Sequence, residues 1–331
     1  MHEWPKCYDT EPVALTLRFD TDLPQMVYNH ADKESSAIVV PESRGIRDYG
    51  VMRYILRAFP IVDGTPLKEY SDEFVFTREV SNGYDCTTTL ELAPGSYRIM
   101  VWADLSEFSD TQKFYNTGNY GEITLDGAHA PNTDYRDAFR GWVDVTLEAT
   151  IELHEPVGAT IDMARPLAKF EFITNDLREF FEKEASRMAR SGNEDNNDTQ
   201  SASTAESRVA LDDYEVVFSY VGYMPCAYSM FTDKPVDSKT GVFFRSKLSR
   251  ISDDDASLGF DYVFVNGSQT AVTIQIALYS AEGVQVSLTE PIEVPLRRSY
   301  HTIILGSFLM TQANGGTGID PDYDGDFNLF M

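Results

Sequence analysis

The sequence predicts an all-β protein of two β-sandwich domains, the second carrying one amphipathic helix. Short segments of alternating apolar and polar residues recur along the chain, separated by turns rich in Gly, Pro, Asn and Asp. With 331 residues the chain is too long for one ordinary sandwich, and its 42% hydrophobic and 12% aromatic residues can fill two cores. We therefore assign residues 1–156 to an N-terminal domain and residues 157–331 to a C-terminal domain.

The first domain reads as a succession of strands after an irregular lead-in. Val13, Leu15 and Leu17 alternate with polar residues, and the mostly apolar run at 97–103 predicts a central strand buried on both faces. Residues 29–50 are turn-rich and predict a long loop around the apolar residues 38–40, and 135–139 predict one helical turn. The predicted strands are 13–19, 52–58 ending before Pro60, 73–77, 87–92, 97–103, 123–125 and 142–147.

The stretch 159–188 changes from a strand pattern to a helix pattern. Ile161 and Met163 alternate with polar residues, and after Arg165-Pro166 the apolar residues move to even positions, with Lys169 and Glu171 on the opposite face. Because strand side chains repeat every second residue, this change predicts a β-bulge at Arg165-Pro166. A helix is predicted from Asp176, which with Glu179 resembles a capping box. Its apolar residues are Leu177, Phe180, Phe181, Ala185 and Met188.

The remainder of the second domain is again strand-like. Residues 191–207 contain no large apolar side chain, which predicts a flexible excursion. Asn266-Gly267 and Glu282-Gly283 are typical of hairpin turns. The predicted strands are 214–220, 242–244, 260–264, 272–278, 284–288 and 300–309.

Charge and cysteine content exclude several classes of function. The formal net charge of -26 repels phosphate backbones and anionic lipid surfaces, so nucleic-acid binding and direct membrane adsorption are not expected. No apolar run reaches the length of a membrane span, and the first residues lack the regions of a signal peptide. Cys7, Cys86 and Cys226 show no metal-ligand spacing and are predicted to pack as small apolar residues, although one pair could form a bridge outside the cytoplasm.

The acidic C-terminal tail is the nearest approach to a chemical motif. Asp320, Asp322, Asp324 and Gly325 match positions 1, 3, 5 and 6 of a calcium-binding EF-hand loop, but Met331 occupies the position of the bidentate carboxylate. We expect a solvated tail. The Gly-rich residues 315–318 lack the lysine of a phosphate loop and predict a linker.

No catalytic constellation is recognised. The five histidines are dispersed and none lies in a nucleophile motif. Histidine occurs at His2, His30, His129, His154 and His301. We therefore predict no catalytic, cofactor-binding or metal-binding residue, and a protein that is not an enzyme.

Aromatic residues leave a sugar-binding alternative open. Trp102 and Trp142 lie within strand patterns and are predicted to belong to the core, whereas Trp4 lies in the lead-in. Tyr115 and Tyr120 lie in a predicted loop, where they could stack on a glycan.

Several phrases of the sequence resemble a known group of proteins. These are GSYRIMVWADL at 95–105, NTGNYGEITLDG followed by DYRDAFRG, MARPLAKFEFITND at 163–176 and the ending GTGIDPDYDGDFN. The chain resembles the fimbrillin-like surface lipoproteins of Bacteroidales, and more narrowly the relatives of the minor-fimbrium anchoring subunits. The resemblance covers most of the chain except the excursion after Arg190, and RPLAKFEF is its most specific part.

The resemblance implies two transthyretin-like antiparallel sandwiches and a lipoprotein that is exported with a signal peptide to the outer-membrane surface. It implies a fimbrial anchor, tip or accessory adhesin that assembles with other fimbrial subunits by β-strand addition, with a host or glycan ligand as a further partner. A glycan-binding surface lipoprotein is the alternative. Cys7 follows Trp4-Pro5-Lys6, which is not a lipobox, so we expect the lipidated cysteine upstream of His2.

Overall fold

The computed structural model describes residues 10–30, 50–106, 113–149, 155–191 and 210–311. It confirms an all-β sandwich fold with one α-helix among these residues. The helix is α1 (Leu177–Ser191). The strands are β1 (Glu11–Phe19), β2 (Gln25–His30), β3 (Val51–Val62), β4 (Thr65–Pro66), β5 (Asp72–Glu79), β6 (Cys86–Leu92), β7 (Gly95–Ser106), β8 (Tyr115–Asn116), β9 (Ile123–Leu125), β10 (Ala138–Leu147), β11 (Val157–Met163), β12 (Leu167–Thr174), β13 (Tyr214–Tyr220), β14 (Met224–Ser229), β15 (Lys234–Lys239), β16 (Phe243–Lys247), β17 (Ser249–Arg250), β18 (Ala256–Phe264), β19 (Gln269–Ser280), β20 (Gln285–Leu288), β21 (Ile292–Arg297) and β22 (His301–Gly306).

The first core lies between a three-stranded sheet, in the order β11-β1-β6, and a sheet in the order β10-β7-β3, whose strand β3 also pairs with β4 and β5. Inward residues such as Leu15 and Leu17 alternate with outward ones, as the sequence predicts. The strand β7 pairs on both sides and is buried over most of its length, which confirms the prediction for 97–103.

The second core lies between the sheet β17-β18-β12-β22-β2 and the sheet β16-β13-β19, where β19 also pairs with β20 and β21. The helix α1 begins immediately after Asp176, and Leu177 and Phe180 are buried in this core. The carboxylate of Asp176 accepts the backbone N–H groups of Leu309 and Met310 at 3.1 and 2.9 Å, so it joins the start of the helix to the residues after β22.

Strands from the N-terminal half of the chain pair with strands from the C-terminal half. The strand β11 pairs with β1 in parallel, β2 pairs with β22 in parallel, and β9 pairs with β14 in a four-stranded sheet. The buried residues Tyr228 and Met230, on and just after β14, belong to the first core. The assignment of residues 1–156 and 157–331 to two domains stays a prediction.

Two local predictions were wrong. No β-bulge joins one continuous strand at Arg165-Pro166, because β11 and β12 lie in different sheets and the chain crosses between them there. Asn266-Gly267 does not close a hairpin, because β18 and β19 also belong to different sheets.

Some element boundaries also differ from the predictions. The strand β3 continues through Pro60, whose carbonyl accepts the N–H of Leu67 at 2.8 Å. The helical turn is a single 3-10 turn at Asp134–Arg136, and β10 begins soon after it. Strands β2, β14, β15 and β21 were missed, whereas the turn at Glu282-Gly283 joins the paired strands β19 and β20 as predicted. Residues 38–40 and 192–207 lie outside the described residues.

Gly141 marks the closest contact between β10 and β11. A Cβ atom at this position would lie 2.6 Å from Cγ2 of Ile161 and 2.7 Å from the carbonyl oxygen of Asp162. Gly141→Ala is therefore expected to lower the free energy of unfolding by about 1–3 kcal/mol, because a close-packed interior resists added volume. Gly158→Ala is the matched control, since no atom lies within 4 Å of its added Cβ. Urea denaturation measures both; equal destabilisation would contradict this packing.

Candidate functional site

Ten charged or ionisable side chains meet where the two cores adjoin, and we call this group the junction cluster. Seven of these residues are buried: Asp134, Arg136, Asp137, Arg140, Arg165, Lys169 and Asp261. The others are His129, Asp233 and Arg298. The cluster brings together the DYRDAFRG and RPLAKFEF phrases, which lie about 30 residues apart in the sequence.

Arg165 is the most enclosed residue of the cluster. Its side chain is fully buried, and Nε lies 2.9 Å from each carboxylate oxygen of Asp137. Its other nitrogens donate to the carbonyl oxygens of Thr21 and Asp22 at 3.0 and 2.7 Å, and its guanidinium lies 4.6 Å from the ring centroid of Phe139. Arg165 therefore fixes the turn between β1 and β2 against β10.

Lys169 and Asp134 form a second buried pair. Nζ of Lys169 lies 2.9 Å from Oδ1 of Asp134, and the hydroxyl of Tyr262 donates to the same oxygen at 3.0 Å. The ammonium group also lies 4.0 Å from the ring centroid of Phe260. An aromatic wall thus encloses this pair.

Asp261 is a carboxylate of the cluster with several hydrogen-bond partners. It accepts from Arg136, from Tyr220 at 2.7 Å and from the backbone N–H of Tyr262 at 2.8 Å, and His129 Nε2 lies 2.7 Å away. Burial by itself raises the pKa of Asp261, but the charge of Arg136 and the contacts with His129 and Tyr220 outweigh it, so the pKa lies below its ordinary value. Asp261 is thus held as an anion.

Arg140 extends the cluster toward β14. Its guanidinium donates to both oxygens of Asp233, at 2.6 and 3.1 Å, and Arg298 donates to Asp233 at 2.7 Å. The hydroxyl of Tyr228 also contacts Asp233. Hydrogen bonds from these groups hold the pKa of Asp233 below its ordinary value, although its partial burial alone would raise it.

The cluster is suited to holding elements in register. Its four buried arginine and lysine side chains each contact a carboxylate, so the buried charges are paired, as the cost of removing them from water requires. This function of Lys169 and of the DYRDAFRG residues was not predicted from the sequence. The available signal was the presence of charged residues within otherwise apolar strand patterns.

A second feature is the open side of the first sandwich, formed by the edge strands β5 and β6. Among the described residues β5 pairs with β3 and β6 pairs with β1, each without a register shift. The two strands are consecutive and joined through a short 3-10 turn, and Arg78 donates to the carbonyl of Asp85 at 2.9 Å. The opposite side is closed, because Arg140 and Ala164 exchange backbone hydrogen bonds of 2.9 and 3.0 Å between β10 and the end of β11.

The open side combines apolar inner groups with accessible outer groups. Phe74 and Phe76 are half-buried and pack against the first core, whereas Val75 is 54% exposed. Thr87 and Thr89 of β6 are exposed. A depression of about 380 Å³ lies at one end, lined by Thr16, Leu17, Arg78, Asp85, Cys86 and Thr87.

The tyrosines predicted to bind glycans are instead core residues. Tyr115 and Tyr120 are buried, and their hydroxyls donate to the carbonyl oxygens of Arg136 and Ile55. They are not available to stack on a sugar. Trp102 is buried as predicted, but Trp142 is 38% exposed, because it lies on the outer face of β10 beneath the guanidinium of Arg140.

The other residues singled out in the sequence are dispersed. Cys86 is half-buried and Cys226 is buried, and both are free thiols; burial raises the pKa of Cys226 to about 11. His301 is buried, as expected for a packed residue. Trp4, Cys7, His2, His154 and the residues from 312 onward, including Asp320, Asp322, Asp324 and Gly325, lie outside the described residues.

The described residues offer neither a metal site nor a membrane-spanning helix. No group of three or more His, Cys, Asp or Glu side chains among them is arranged to hold a metal ion. Within the same residues, no helix is long and apolar enough to cross a membrane.

Comparison with known proteins identifies the family. The model of a family of unknown function, DUF6562, matches residues 9–329. The chain belongs to this family. The comparison with curated proteins found no match for this DUF6562 member.

Solved structures with a similar chain path come from the Bacteroidales. A candidate polysaccharide-binding protein of Bacteroides thetaiotaomicron is 12% identical with a TM-score of 0.44, covering 84% of this chain and 79% of that one. The fimbrial anchor protein Mfa2 of Porphyromonas gingivalis is 12% identical with a TM-score of 0.40, covering 84% and 81%. A candidate cell adhesion protein of Bacteroides eggerthii is 13% identical with a TM-score of 0.42, covering 98% and 94%.

Proposed function

We propose that this protein is a non-enzymatic cell-surface subunit of a fimbrium, acting as an anchor, tip or accessory adhesin that accepts an extended strand from a neighbouring subunit. The observation that carries this proposal is the open side of the first sandwich. There, β5 and β6 offer long unshifted edges over half-buried phenylalanines. An added strand would gain main-chain hydrogen bonds from an edge, while its alternate side chains would cover Phe74 and Phe76.

The chemistry of the β6 edge supports acceptance of a strand. Exposed edge strands are usually protected by lysine, proline or a bulge. The sequence CTTTLEL of β6 contains no lysine or proline, and its pairing with β1 has no register shift. Three consecutive threonines also favour an extended backbone. A long exposed edge of this kind favours aggregation unless another segment pairs with it. A strand from a partner subunit is one such segment.

The remaining parts of the proposal follow from the sequence motifs. Their resemblance to fimbrillin-like lipoproteins supports two sandwich domains divided near residue 156, and a location at the outer-membrane surface through a lipidated cysteine upstream of His2. The rigid junction cluster suits a subunit that transmits tension between its two halves. No residue is assigned to a host or glycan ligand, because Tyr115 and Tyr120 are buried.

Thermal denaturation with donor peptides tests strand acceptance. Peptides covering the terminal segments of candidate fimbrial subunits are added to the full chain, with scrambled peptides as controls. A bound donor at one hundred times its Kd is expected to stabilise the protein by about 2.7 kcal/mol. If no candidate donor raises the melting temperature above that with its scrambled form, the proposal fails.

Edge variants locate the acceptor. Val75→Lys and Thr89→Lys are each expected to weaken donor binding at least about tenfold, because a lysine on an edge opposes pairing. Val284→Lys is the matched control, since Val284 is 56% exposed but lies in the turn between β19 and β20, far from this side in the sheet order. Isothermal titration measures the Kd, and equal binding by all three variants would place the acceptor elsewhere.

A further inference from the structure

The Lys169–Asp134 pair has the geometry of reactants as well as of an ion pair. Nζ lies 2.9 Å from a carboxylate oxygen, and the two side chains are only 5% and 7% exposed. The oxygen that Nζ contacts is bonded to Cγ, the carbon that Nζ would attack, and holding reacting groups in such proximity gives them a large effective concentration. The pair also joins two distant segments, since Asp134 precedes β10 and Lys169 lies in the centre of β12.

Aromatic side chains surround the pair. Phe260 lies over the ammonium at 4.0 Å, and Tyr262 lies 5.7 Å from it on the neighbouring strand β18. Keeping an ammonium and a carboxylate in such a site has a desolvation cost that an amide does not have.

We propose that Lys169 and Asp134 condense spontaneously to an intramolecular isopeptide bond that links the segment before β10 to β12. A proton passes from the ammonium to the carboxylate, giving an amine and a carboxylic acid. The amine nitrogen then attacks Cγ of Asp134, forming the C–N bond. The C–O bond to Oδ2 breaks, and that oxygen leaves as water, carrying the proton of the carboxylic acid and a second proton that the attacking nitrogen gives up as it becomes the amide N–H. No oxidant, metal or cofactor is consumed.

Tyr262 has a specific part in this step. Its hydroxyl donates to Oδ1, the oxygen that becomes the amide carbonyl, and so stabilises the negative charge that develops there during attack. Burial, the largest cause, and the neighbouring carboxylates raise the pKa of Tyr262 well above its ordinary value, so this hydroxyl remains a donor. Tyr262→Phe is expected to slow bond formation without removing either reactant.

Mass spectrometry of the full chain tests the proposal. The denatured protein is expected to be about 18 Da lighter than its sequence mass, from loss of one water. A tryptic digest should contain a branched peptide joining Asp134 to Lys169, with no cleavage after Lys169. An intact mass equal to the sequence mass, with Lys169 cleaved normally, would overturn the proposal.

Two variants distinguish the Lys169–Asp134 bond from a loss of water elsewhere in the chain. Lys169→Arg preserves the ion pair but has no amine that can condense, so its mass should equal its sequence mass; a loss of water that persisted in it would arise elsewhere and count against the bond. Asp134→Asn would release ammonia instead of water and give a linked product of the same mass as the linked wild type. Circular dichroism confirms that each variant is folded before its mass is interpreted.

Discussion

Arg165→Ala is expected to lower the free energy of unfolding by about 3–5 kcal/mol, one of the two largest effects we predict. The substitution leaves the buried carboxylate of Asp137 without its cation, and removing one partner of a buried pair is far more costly than replacing both. It also leaves the carbonyl oxygens of Thr21 and Asp22 without this donor, and removes the guanidinium from the ring of Phe139.

The matched control for Arg165 is Arg178→Ala. Arg178 pairs with Asp254, but both side chains are more than half exposed, so water screens this pair and its loss should change stability by less than about 1 kcal/mol. Guanidinium denaturation measures both variants at one pH. A change of less than 1 kcal/mol for Arg165→Ala would show that Arg165 does not hold the β1–β2 turn in place.

The double variant Arg165→Met with Asp137→Leu refines this expectation. Because buried ion pairs contribute mainly when one partner is missing, the double variant should be more stable than Arg165→Ala. A double variant as unstable as the single one would indicate that the contacts of Arg165 with the carbonyl oxygens of the turn are the larger contribution.

Local periodicity was sufficient to predict most elements of this fold. The alternation in β1 and β13, the apolar run of β7 and the helical spacing of Leu177, Phe180 and Ala185 are properties of neighbouring residues, and they identified strands and helix directly. A change of side-chain parity at Arg165-Pro166 was also visible. It was interpreted as a bulge because the same local pattern is produced when a chain leaves one sheet and enters another.

The partners of these elements could not be predicted from such patterns. The parallel pairs β1–β11 and β2–β22 join segments more than a hundred residues apart, and no local property of either strand specifies the other. The lack of information about distant partners also explains why Tyr115 and Tyr120 were wrongly predicted to lie in an exposed loop. Their loop composition was typical of a surface, but β8, β9 and β14 form a sheet that encloses them within the first core.

The junction cluster shows why buried charged residues are hard to predict from a sequence. The alternation of Lys169 with apolar residues indicates only that it lies on the opposite face of the strand, and in the structure it contacts Asp134 within the protein. A charged residue in a strand is buried only where an opposite charge lies within reach, and that charge comes from a distant segment. The two phrases that carry the family resemblance, DYRDAFRG and RPLAKFEF, are thus the two halves of one buried contact.

Asp261→Asn is expected to lower the free energy of unfolding at neutral pH by about 3–5 kcal/mol. The substitution leaves the fully enclosed guanidinium of Arg136 without a neutralising charge, and it weakens the contacts with His129 and Tyr220. The effect should depend on pH, because the pKa of Asp261 in the folded protein lies below its ordinary value of about 3.9.

The sign of this dependence follows from proton binding. A carboxylate whose pKa is lowered by folding stabilises the protein above its unfolded pKa, and this contribution is lost as the pH falls through the folded pKa. The difference in free energy of unfolding between wild type and Asp261→Asn should therefore have its largest value above about pH 4 and decrease below that pH.

Asp144→Asn is the control. A hydrogen bond from Arg98 also lowers the pKa of Asp144, but that pair is partly exposed and should contribute less than about 1 kcal/mol. Urea denaturation between pH 3 and 7 measures these differences, and a gap for Asp261→Asn that widened with acid would contradict the assignment of Asp261 as the anion that holds Arg136.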